Sequence, residues 1–259
     1  MRFAIGLEYD GASFHGWQSQ ADGSGVQDAL ERALTSIAGS PVSVAAAGRT
    51  DSGVHATMQV VHFDSAAKRE DTAWVRGVNA LLPATIAVRW VRAVTADFHA
   101  RFSAQGRHYS YLLLDRPVRP ALLDGRVGWY HRHLAVEPMR EAASALLGQH
   151  DFSAFRASEC QAKSPIKTLH RLDISRQDDI IHFHFHADAF LQHMVRNIVG
   201  ALVYIGSGRQ PSTWSAELLA ARDRARAAPT FTAAGLYLTG VDYDAHWNLP
   251  STCAPVRIP

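Results

Sequence analysis

The sequence has little cysteine, little lysine and no long apolar run among its 259 residues. Cys160 and Cys253 are its only cysteines, and without a CxxC pair neither a zinc site nor a disulfide framework is predicted. The longest apolar run, residues 198–206, is about half of a membrane span. Acidic Glu8 and Asp10 follow the first apolar residues too soon for a signal peptide. These absences predict a cytoplasmic protein with no membrane segment.

Several common catalytic motifs are also missing. There is no GxxxxGK phosphate loop, no GxGxxG fingerprint and no GxSxG nucleophile elbow, which removes most support for an ATP, nicotinamide or serine-hydrolase enzyme. The net charge is only +2, with 26 basic and 24 acidic residues, too balanced to indicate a nucleic-acid binder. Nearly all of the basic residues are arginine, which suits planar contacts with phosphates and bases. Codon bias in an alanine-rich chain would explain the same preference.

The first half of the chain alternates strands and helices in a recognisable order. Apolar residues make up 47% of the sequence, as in a globular protein with a sizeable core. Hydrophobic spacing predicts strand, helix, strand, strand, helix, strand, which is the split βαβ or ferredoxin-like pattern. The predicted ranges are 3–9, 26–37, 42–47, 59–64, 71–81 and 86–94.

The second half repeats much of that order and adds one helix before its last strand. No residue-level repeat accompanies the similarity, so it rests on element order alone. We predict an α+β fold of two tandem halves, residues 1–105 and 106–259. The predicted strands are 108–114, 169–176, 180–187 and 236–242, and the predicted helices are 136–146, 189–205 and 214–225.

The segment from Gly48 to His55 is the clearest candidate for catalysis. It joins two predicted strands, yet it holds an acid, a base, two glycines, two hydroxyls and a histidine instead of a short apolar turn. Arg49 could pair with Asp51 and keep it ionised, the state that a nucleophile or general base needs. An ordinary turn around Asp-Ser-Gly would explain the same residues without a function.

The predicted helix 189–205 is apolar on nearly every side and should therefore be buried. Arg196 is its one formal charge, and a buried arginine needs a carboxylate partner. A catalytic aspartate from another element is one candidate partner. The alternatives are a purely structural acid, or an Arg196 side chain that reaches solvent.

Basic and aromatic residues interleave in the middle of the chain. In RNA-binding proteins such aromatics stack on bases while arginines hold phosphates. Tyr109 and Tyr111 are two positions apart and share a strand face, which in most proteins would simply be core. The interleaved residues are Arg101, Arg107, His108, Tyr109, Tyr111, Arg116, Arg119 and Arg126.

Three histidines alternate with apolar residues in the predicted strand 180–187 and so share one face of it. Such a face could bind zinc in a metal-dependent hydrolase. The solvated side of a sheet whose other side is apolar explains the same pattern and is the favoured interpretation. The histidines are His182, His184 and His186.

A set of short motifs occurs in one order along the chain. They are Glu8-Tyr9-Asp10-Gly11, His15-Gly16-Trp17-Gln18, the run from Gly48 to Ala56, the run from Phe98 to Ala104, Tyr109-Ser110-Tyr111, His150-Asp151-Phe152 and the run from His193 to Gly200. With these motifs the sequence resembles the tRNA pseudouridine synthase A family over essentially its whole length. The run Gly-Arg-Thr-Asp-x-Gly-Val-His is the most specific of them.

The resemblance implies an enzyme that isomerises uridine to pseudouridine at nucleotides 38, 39 or 40 of the tRNA anticodon stem-loop. It also implies a homodimer that needs no metal and no organic cofactor. The fold implied is a mixed, mainly antiparallel sheet shared by two halves, with helices packed on it. This agrees with the element order read from hydrophobic spacing.

The resemblance also assigns roles to particular residues. The catalytic aspartate of the family falls on Asp51, and its substrate-contacting tyrosine falls on Tyr109. Arg49 and Arg196 match basic residues that the family places near the aspartate. The sequence departs beside Tyr109, where His108 and Ser110 replace residues that are usually or often basic, so a phosphate contact is weaker there. The C-terminal tail matches poorly.

The reaction itself sets what the chain must do. The uracil leaves C1′ of its ribose, turns and returns through C5, with Asp51 attacking either C6 or C1′. The target nucleotide must be flipped out of the stack, at a cost of a few kcal/mol, and stacking on Tyr109 offsets part of it. Two other classes remain open: a non-catalytic protein of paired RNA-binding domains, and the metal-dependent hydrolase.

Overall fold

The computed structural model describes residues 1–256. Within that range the chain forms ten strands and five α-helices, which confirms the predicted α+β class. The strands are β1 (Arg2–Tyr9), β2 (Val44–Ala46), β3 (His55–Asp64), β4 (Ile86–Val94), β5 (Ala104–Asp115), β6 (Gly128–Tyr130), β7 (Gly148–Asp151), β8 (Ile166–Gln177), β9 (Ile180–Ala187) and β10 (Leu236–Tyr243). The helices are α1 (Val26–Ala38), α2 (Asp71–Leu81), α3 (Val136–Ser144), α4 (Met194–Gly206) and α5 (Trp214–Ala221).

The chain divides into two compact units. The first contains residues 1–106 together with the segment from Tyr237 onward, and the second contains residues 107–236. The sequence-based division at 105/106 instead placed that last segment in the second half. It belongs to the first unit because β10 runs parallel to the start of β3, with Tyr237 opposite His55.

The sheet of the first unit follows the ferredoxin-like order. β1 lies between β4 and β3 and is antiparallel to both. The other edge of β3 is divided between two short partners, antiparallel β2 and parallel β10. The only parallel neighbour of β3 among the described residues is therefore the strand that comes from the far end of the chain.

Apolar spacing accounts for the helices that cover this sheet. Helix α1 begins after Gly25, whose backbone N–H donates to the Asp28 carboxylate at 3.0 Å, and ends at Gly39 in the left-handed region with φ 71°. On α2, Trp74 is fully buried and meets Phe63 of β3, with ring centres 5.2 Å apart. The contact between Trp74 and Phe63 fixes α2 against β3, the strand that follows the candidate loop.

The second unit has an antiparallel sheet of β5, β9, β8 and β7, with β6 parallel to β5. Phe183 and Phe185 of β9 are fully buried on one face, and the three histidines between and beside them are half-buried on the other. Helix α4 lies in the interior as predicted, since 11 of its 13 residues are buried. Helix α3 packs against α4 and β8.

Helices α4 and α5 are shorter than the hydrophobic pattern predicted. α4 begins at Met194 rather than near 189, because His193 takes a left-handed backbone conformation with φ 63°. α5 ends at Ala221 rather than 225, since Arg222 is also left-handed, with φ 51°. No helix within residues 1–256 has both the length and the apolar character needed to cross a membrane.

Candidate active site

The loop between β2 and β3 carries the strongest candidate residues. β2 and β3 are antiparallel, with Ala46 opposite Val61, so the chain leaves the sheet after β2 and re-enters it at His55. The prediction that residues 48–55 join two strands is therefore confirmed. A loop between two strands of a packed sheet is a common place for reacting groups, because the strands hold its ends.

Buried polar groups support this loop from below. The Tyr9 hydroxyl lies 2.8 Å from the Thr50 hydroxyl, and the Gln59 side-chain amide donates to the Gly48 carbonyl at 2.7 Å. Burial raises the pKa of Tyr9 to about 12, so its hydroxyl stays protonated at neutral pH. Thr50 itself is buried. These contacts fix the backbone on both sides of Arg49.

A second segment of the first unit packs against the loop from the side. The Trp17 backbone N–H donates to the Thr50 carbonyl at 3.0 Å. Gly16 has φ 90°, and a Cβ there would lie 2.8 Å from the same carbonyl oxygen, so only glycine fits this approach. Trp17 is buried and its ring centre is 5.9 Å from that of Tyr9. This explains why the His-Gly-Trp motif accompanies the aspartate loop in the sequence.

Asp51 and Arg49 both lie on this supported loop, but their side chains differ in solvent exposure. Asp51 is half-buried, and its backbone carbonyl accepts the Val54 N–H at 3.1 Å, which closes a turn. Gly53 occupies the left-handed region in that turn, with φ 77°. Arg49 is exposed. The turn that sequence reasoning offered as a non-functional explanation is thus present, and it holds the carboxylate at the end of a rigid loop.

The two candidate tyrosines of the second unit have different environments on the same face of β5. Tyr111 is fully buried, and its hydroxyl donates to the Thr232 carbonyl at 2.9 Å. Tyr109 is 8% exposed, and its ring meets Phe190 edge-on with centres 5.1 Å apart. Burial raises the pKa of Tyr111, although the positive charge of Arg196 opposes that shift. Tyr109 therefore lies closer to the surface than Tyr111.

Arg196 lies in the first turn of α4 and is half-buried rather than enclosed. Its guanidinium Nε donates to the Phe231 carbonyl at 2.9 Å, and the Phe231 N–H donates back to the Arg196 carbonyl at 3.3 Å. One edge of the guanidinium is thus fixed by backbone of the second unit. The pairing of Arg196 with Asp51 stays a prediction.

Asn197 organises the backbone beside Arg196, and sequence reasoning gave it no role. Its side chain is fully buried, donates to the Phe155 carbonyl at 2.8 Å, and accepts from Thr230 at 2.7 Å and Arg224 at 3.0 Å. This holds the segment whose next residue, Phe231, binds Arg196. The sequence signal for this role is an amide side chain within an otherwise apolar helix, because a buried polar group needs hydrogen-bond partners.

The alternating histidines of β9 occupy one half-buried sheet face, as predicted. Burial lowers the pKa of His182 and of His184, which favours neutral rings. Within the described part of the chain, these three histidines do not form a group whose ligand atoms lie within 4.8 Å of one another. The geometry of this face therefore gives little support to the hypothesis of a metal-dependent hydrolase.

Comparison with known proteins gives consistent matches over the chain. A family model described as tRNA pseudouridine synthase matches residues 7–103 and 142–244. A protein of Chromobacterium violaceum is 62% identical over 259 residues, covering 100% of this chain and 99% of its own. One from Dechloromonas aromatica is 60% identical, covering 96% and 95%, and one from Thiobacillus denitrificans is 59% identical, covering 97% of each. All three relatives bear the name tRNA pseudouridine synthase A.

Proposed function

Since the chain belongs to the tRNA pseudouridine synthase family, we propose a specific target and a specific set of reacting residues for it. The chain is an isomerase that forms pseudouridine in tRNA, as the close relatives and the family match support. The target we propose is uridine at nucleotides 38, 39 and 40 of the anticodon stem-loop. The relatives match over nearly their full lengths, which supports a shared substrate.

Asp51 is the nucleophile in this proposal. The observation that carries it is a half-buried carboxylate on a loop that is held by Tyr9, Gln59 and Trp17. A nucleophile held in one geometry reacts faster because less freedom is lost in the transition state. The reaction breaks the N1–C1′ bond and forms a C5–C1′ bond. The proton on C5 leaves and N1 gains one, so atoms balance without an oxidant or an energy source.

Tyr109 contacts the substrate in this proposal, while Arg49 and Arg196 act beside the carboxylate. Tyr109 is supported by its position near the surface of β5, whereas the hydroxyl of Tyr111 is bonded within the second unit. Stacking on an aromatic ring is worth ~1–3 kcal/mol per base and offsets part of the cost of flipping the nucleotide. In this proposal the positive charge of the two arginines attracts the Asp51 carboxylate and holds it in place.

We also propose that the enzyme works as a cytoplasmic homodimer. The homodimer comes from the family resemblance, and the compartment comes from the scarcity of cysteine and of long apolar runs in the sequence. Cys160 and Cys253 are free thiols, which suits a reducing compartment. Sedimentation of the purified protein at several concentrations measures the dimer directly, and a monomer at micromolar concentration would contradict it.

Release of tritium from tRNA labelled at C5 of uridine tests the proposed target. The enzyme should release tritium from a transcript with uridine at positions 38, 39 and 40. A transcript with cytidine at those three positions is the matched control and should release none. Release from the control at the same rate would place the reaction elsewhere in the tRNA.

A further inference from the structure

A turn in the first unit presents an aromatic ring to solvent. Residues 98–103 connect β4 to β5, and Phe102 in this turn is 78% exposed. Phe98 and Ala100, in the same turn, are fully buried. The turn is therefore anchored by two apolar side chains and presents a third outward. Isolated exposed apolar residues are common. Phe102 differs in the hydrogen bonds that hold its backbone and in the charge beside its ring.

Hydrogen bonds keep the turn in one conformation. The Ser103 N–H donates to the His99 carbonyl at 2.8 Å, and the His99 N–H donates to the Ser103 hydroxyl at 3.0 Å. The Tyr243 hydroxyl donates to the Ala100 carbonyl at 2.6 Å, and Arg2 donates to the Phe98 carbonyl at 3.0 Å. Little conformational freedom remains in this backbone for a ligand to remove on binding.

His99 holds the exposed ring from one side. Its Nδ1 accepts the backbone N–H groups of Arg101 and Phe102 at 3.1 and 3.3 Å, which requires an unprotonated nitrogen at that position. Burial and the charge of Arg2 lower the pKa of His99 and favour this neutral ring. The ring centres of His99 and Phe102 are 4.3 Å apart. The phenyl ring thus lies against the His99 ring on one side.

Positive charge stands directly beside the ring. Arg101 is exposed, and its guanidinium carbon lies 5.9 Å from the centre of the Phe102 ring. A fixed aromatic ring next to a guanidinium is the arrangement with which proteins bind single-stranded nucleic acid, the ring stacking on a base and the cation meeting its phosphate. An apolar partner surface would leave that guanidinium desolvated.

The turn lies far from the loop that carries Asp51. β3 begins at His55, beside the loop, and reaches His62, whose Nδ1 accepts the Ala100 N–H at 3.1 Å. Seven residue steps along a strand span about 23 Å. A nucleotide at Phe102 is therefore not the one that reacts at Asp51, although both could belong to one tRNA.

We propose that Phe102 and Arg101 form a tRNA-binding site remote from the reacting base. Phe102 stacks on an unpaired base and Arg101 contacts a backbone phosphate of the same strand. The proposal rests on tRNA being the substrate, and it adds to that function a second point of contact that positions the anticodon stem-loop.

Equilibrium binding of unmodified tRNA to Phe102→Ala tests the stacking contact. We expect about tenfold weaker binding, within the range for loss of one stacked base, and Phe102→Trp should restore it. A plot of the logarithm of tRNA affinity against the logarithm of salt concentration should keep its slope in Phe102→Ala. In Arg101→Gln the slope should become shallower by about one, because one phosphate contact is lost. Leu81→Ala is the matched control, since Leu81 is an exposed apolar residue of the same unit. This variant should bind tRNA as tightly as the unsubstituted protein.

Failure of this proposal is distinguishable from failure of the proposed function. Turnover by Phe102→Ala should recover when tRNA exceeds the raised dissociation constant, whereas Asp51→Asn should bind tRNA without turnover. Unchanged tRNA affinity in Phe102→Ala would overturn the binding site. So would a change in its sedimentation mass relative to the unsubstituted protein, because the ring would then contact a second copy of the chain.

Discussion

Tyr109 and Tyr111 point to the same face of β5, and Tyr111 is the more deeply enclosed of the two. The hydroxyl of Tyr111 is bonded to the Thr232 carbonyl and its ring is fully buried. Tyr109 keeps a small exposed fraction beside Phe190. Spacing in the sequence put both on one face but could not rank them, because burial depends on elements distant in the chain.

Substitutions of Tyr109 separate its ring from its hydroxyl. Tyr109→Phe should keep stacking, so any loss of turnover reports on the hydroxyl. Tyr109→Leu should lose turnover by about tenfold or more, because stacking is worth ~1–3 kcal/mol, while overall tRNA affinity changes little. Normal pseudouridine formation by the leucine variant would show that Tyr109 is a core residue and not a substrate contact.

Arg196 is tested by removing its charge. Arg196→Met should lower turnover strongly if the arginine acts beside the Asp51 carboxylate as proposed. Arg196→Lys should rescue only in part, since lysine lacks the planar fork that also binds the Phe231 carbonyl. Full turnover by the methionine variant would leave Arg49 as the candidate that acts on Asp51.

The local sequence predicts the position of the β2–β3 loop but not the contacts that support it. Its place between two strands followed from local hydrophobic pattern, and its turn followed from Asp-Ser-Gly. The supports, Tyr9 on β1 and Gln59 on β3, are polar residues within strands, and nothing local indicates which loop they meet. Similarly, the parallel pairing of β10 with β3 joins residues that are far apart in the chain, such as His55 and Tyr237.

Helix α4 shows a different limit. The apolar pattern predicts that α4 is buried, but it does not predict the residue at which the helix begins. Residues 189–193 continue the apolar pattern, whereas their backbone is held outside the helix: the Ala189 N–H donates to the Asp188 side chain, and the Gln192 carbonyl accepts the Ala157 N–H. Competing hydrogen bonds of this kind shift helix ends without altering periodicity.

Removal of one hydroxyl tests whether the support beneath the loop matters for catalysis. Tyr9→Phe leaves the buried Thr50 hydroxyl without this partner and should cost about 1–2 kcal/mol of unfolding free energy. Turnover should fall by about tenfold or more, since small misplacements of a nucleophile are costly. Thr35→Val is the control, as it removes a bond to the Val42 N–H away from the loop. Equal turnover in both variants would mean that the loop needs no such support.

Burial of His62 makes the unfolding free energy of the whole protein depend on pH. Burial lowers the pKa of His62 from 6.5 to about 4, and the His62 Nδ1 accepts the Ala100 N–H. The folded state therefore favours neutral His62 more strongly than the unfolded chain does. Its contribution to stability is complete above about pH 6.5 and is lost as the pH falls from there toward 4.

Denaturant unfolding at pH 7 and at about pH 4 measures this contribution. The loss from His62 should reach about 3 kcal/mol, the value of a shift of roughly 2.5 pH units. His62→Asn retains an acceptor for the Ala100 N–H but does not titrate, so its stability should fall less over the same range. Identical pH dependence in the two proteins would show that His62 does not control acid stability.

Asp51 is the residue on which the proposed reaction depends most. Asp51→Asn keeps the size of the side chain but cannot supply an anionic nucleophile, so it should fold, bind tRNA and release no tritium from C5-labelled uridine. Asp124→Asn, at an exposed aspartate of the second unit, should retain full activity. Tritium release by folded Asp51→Asn at a rate near that of the unsubstituted enzyme would contradict the mechanism.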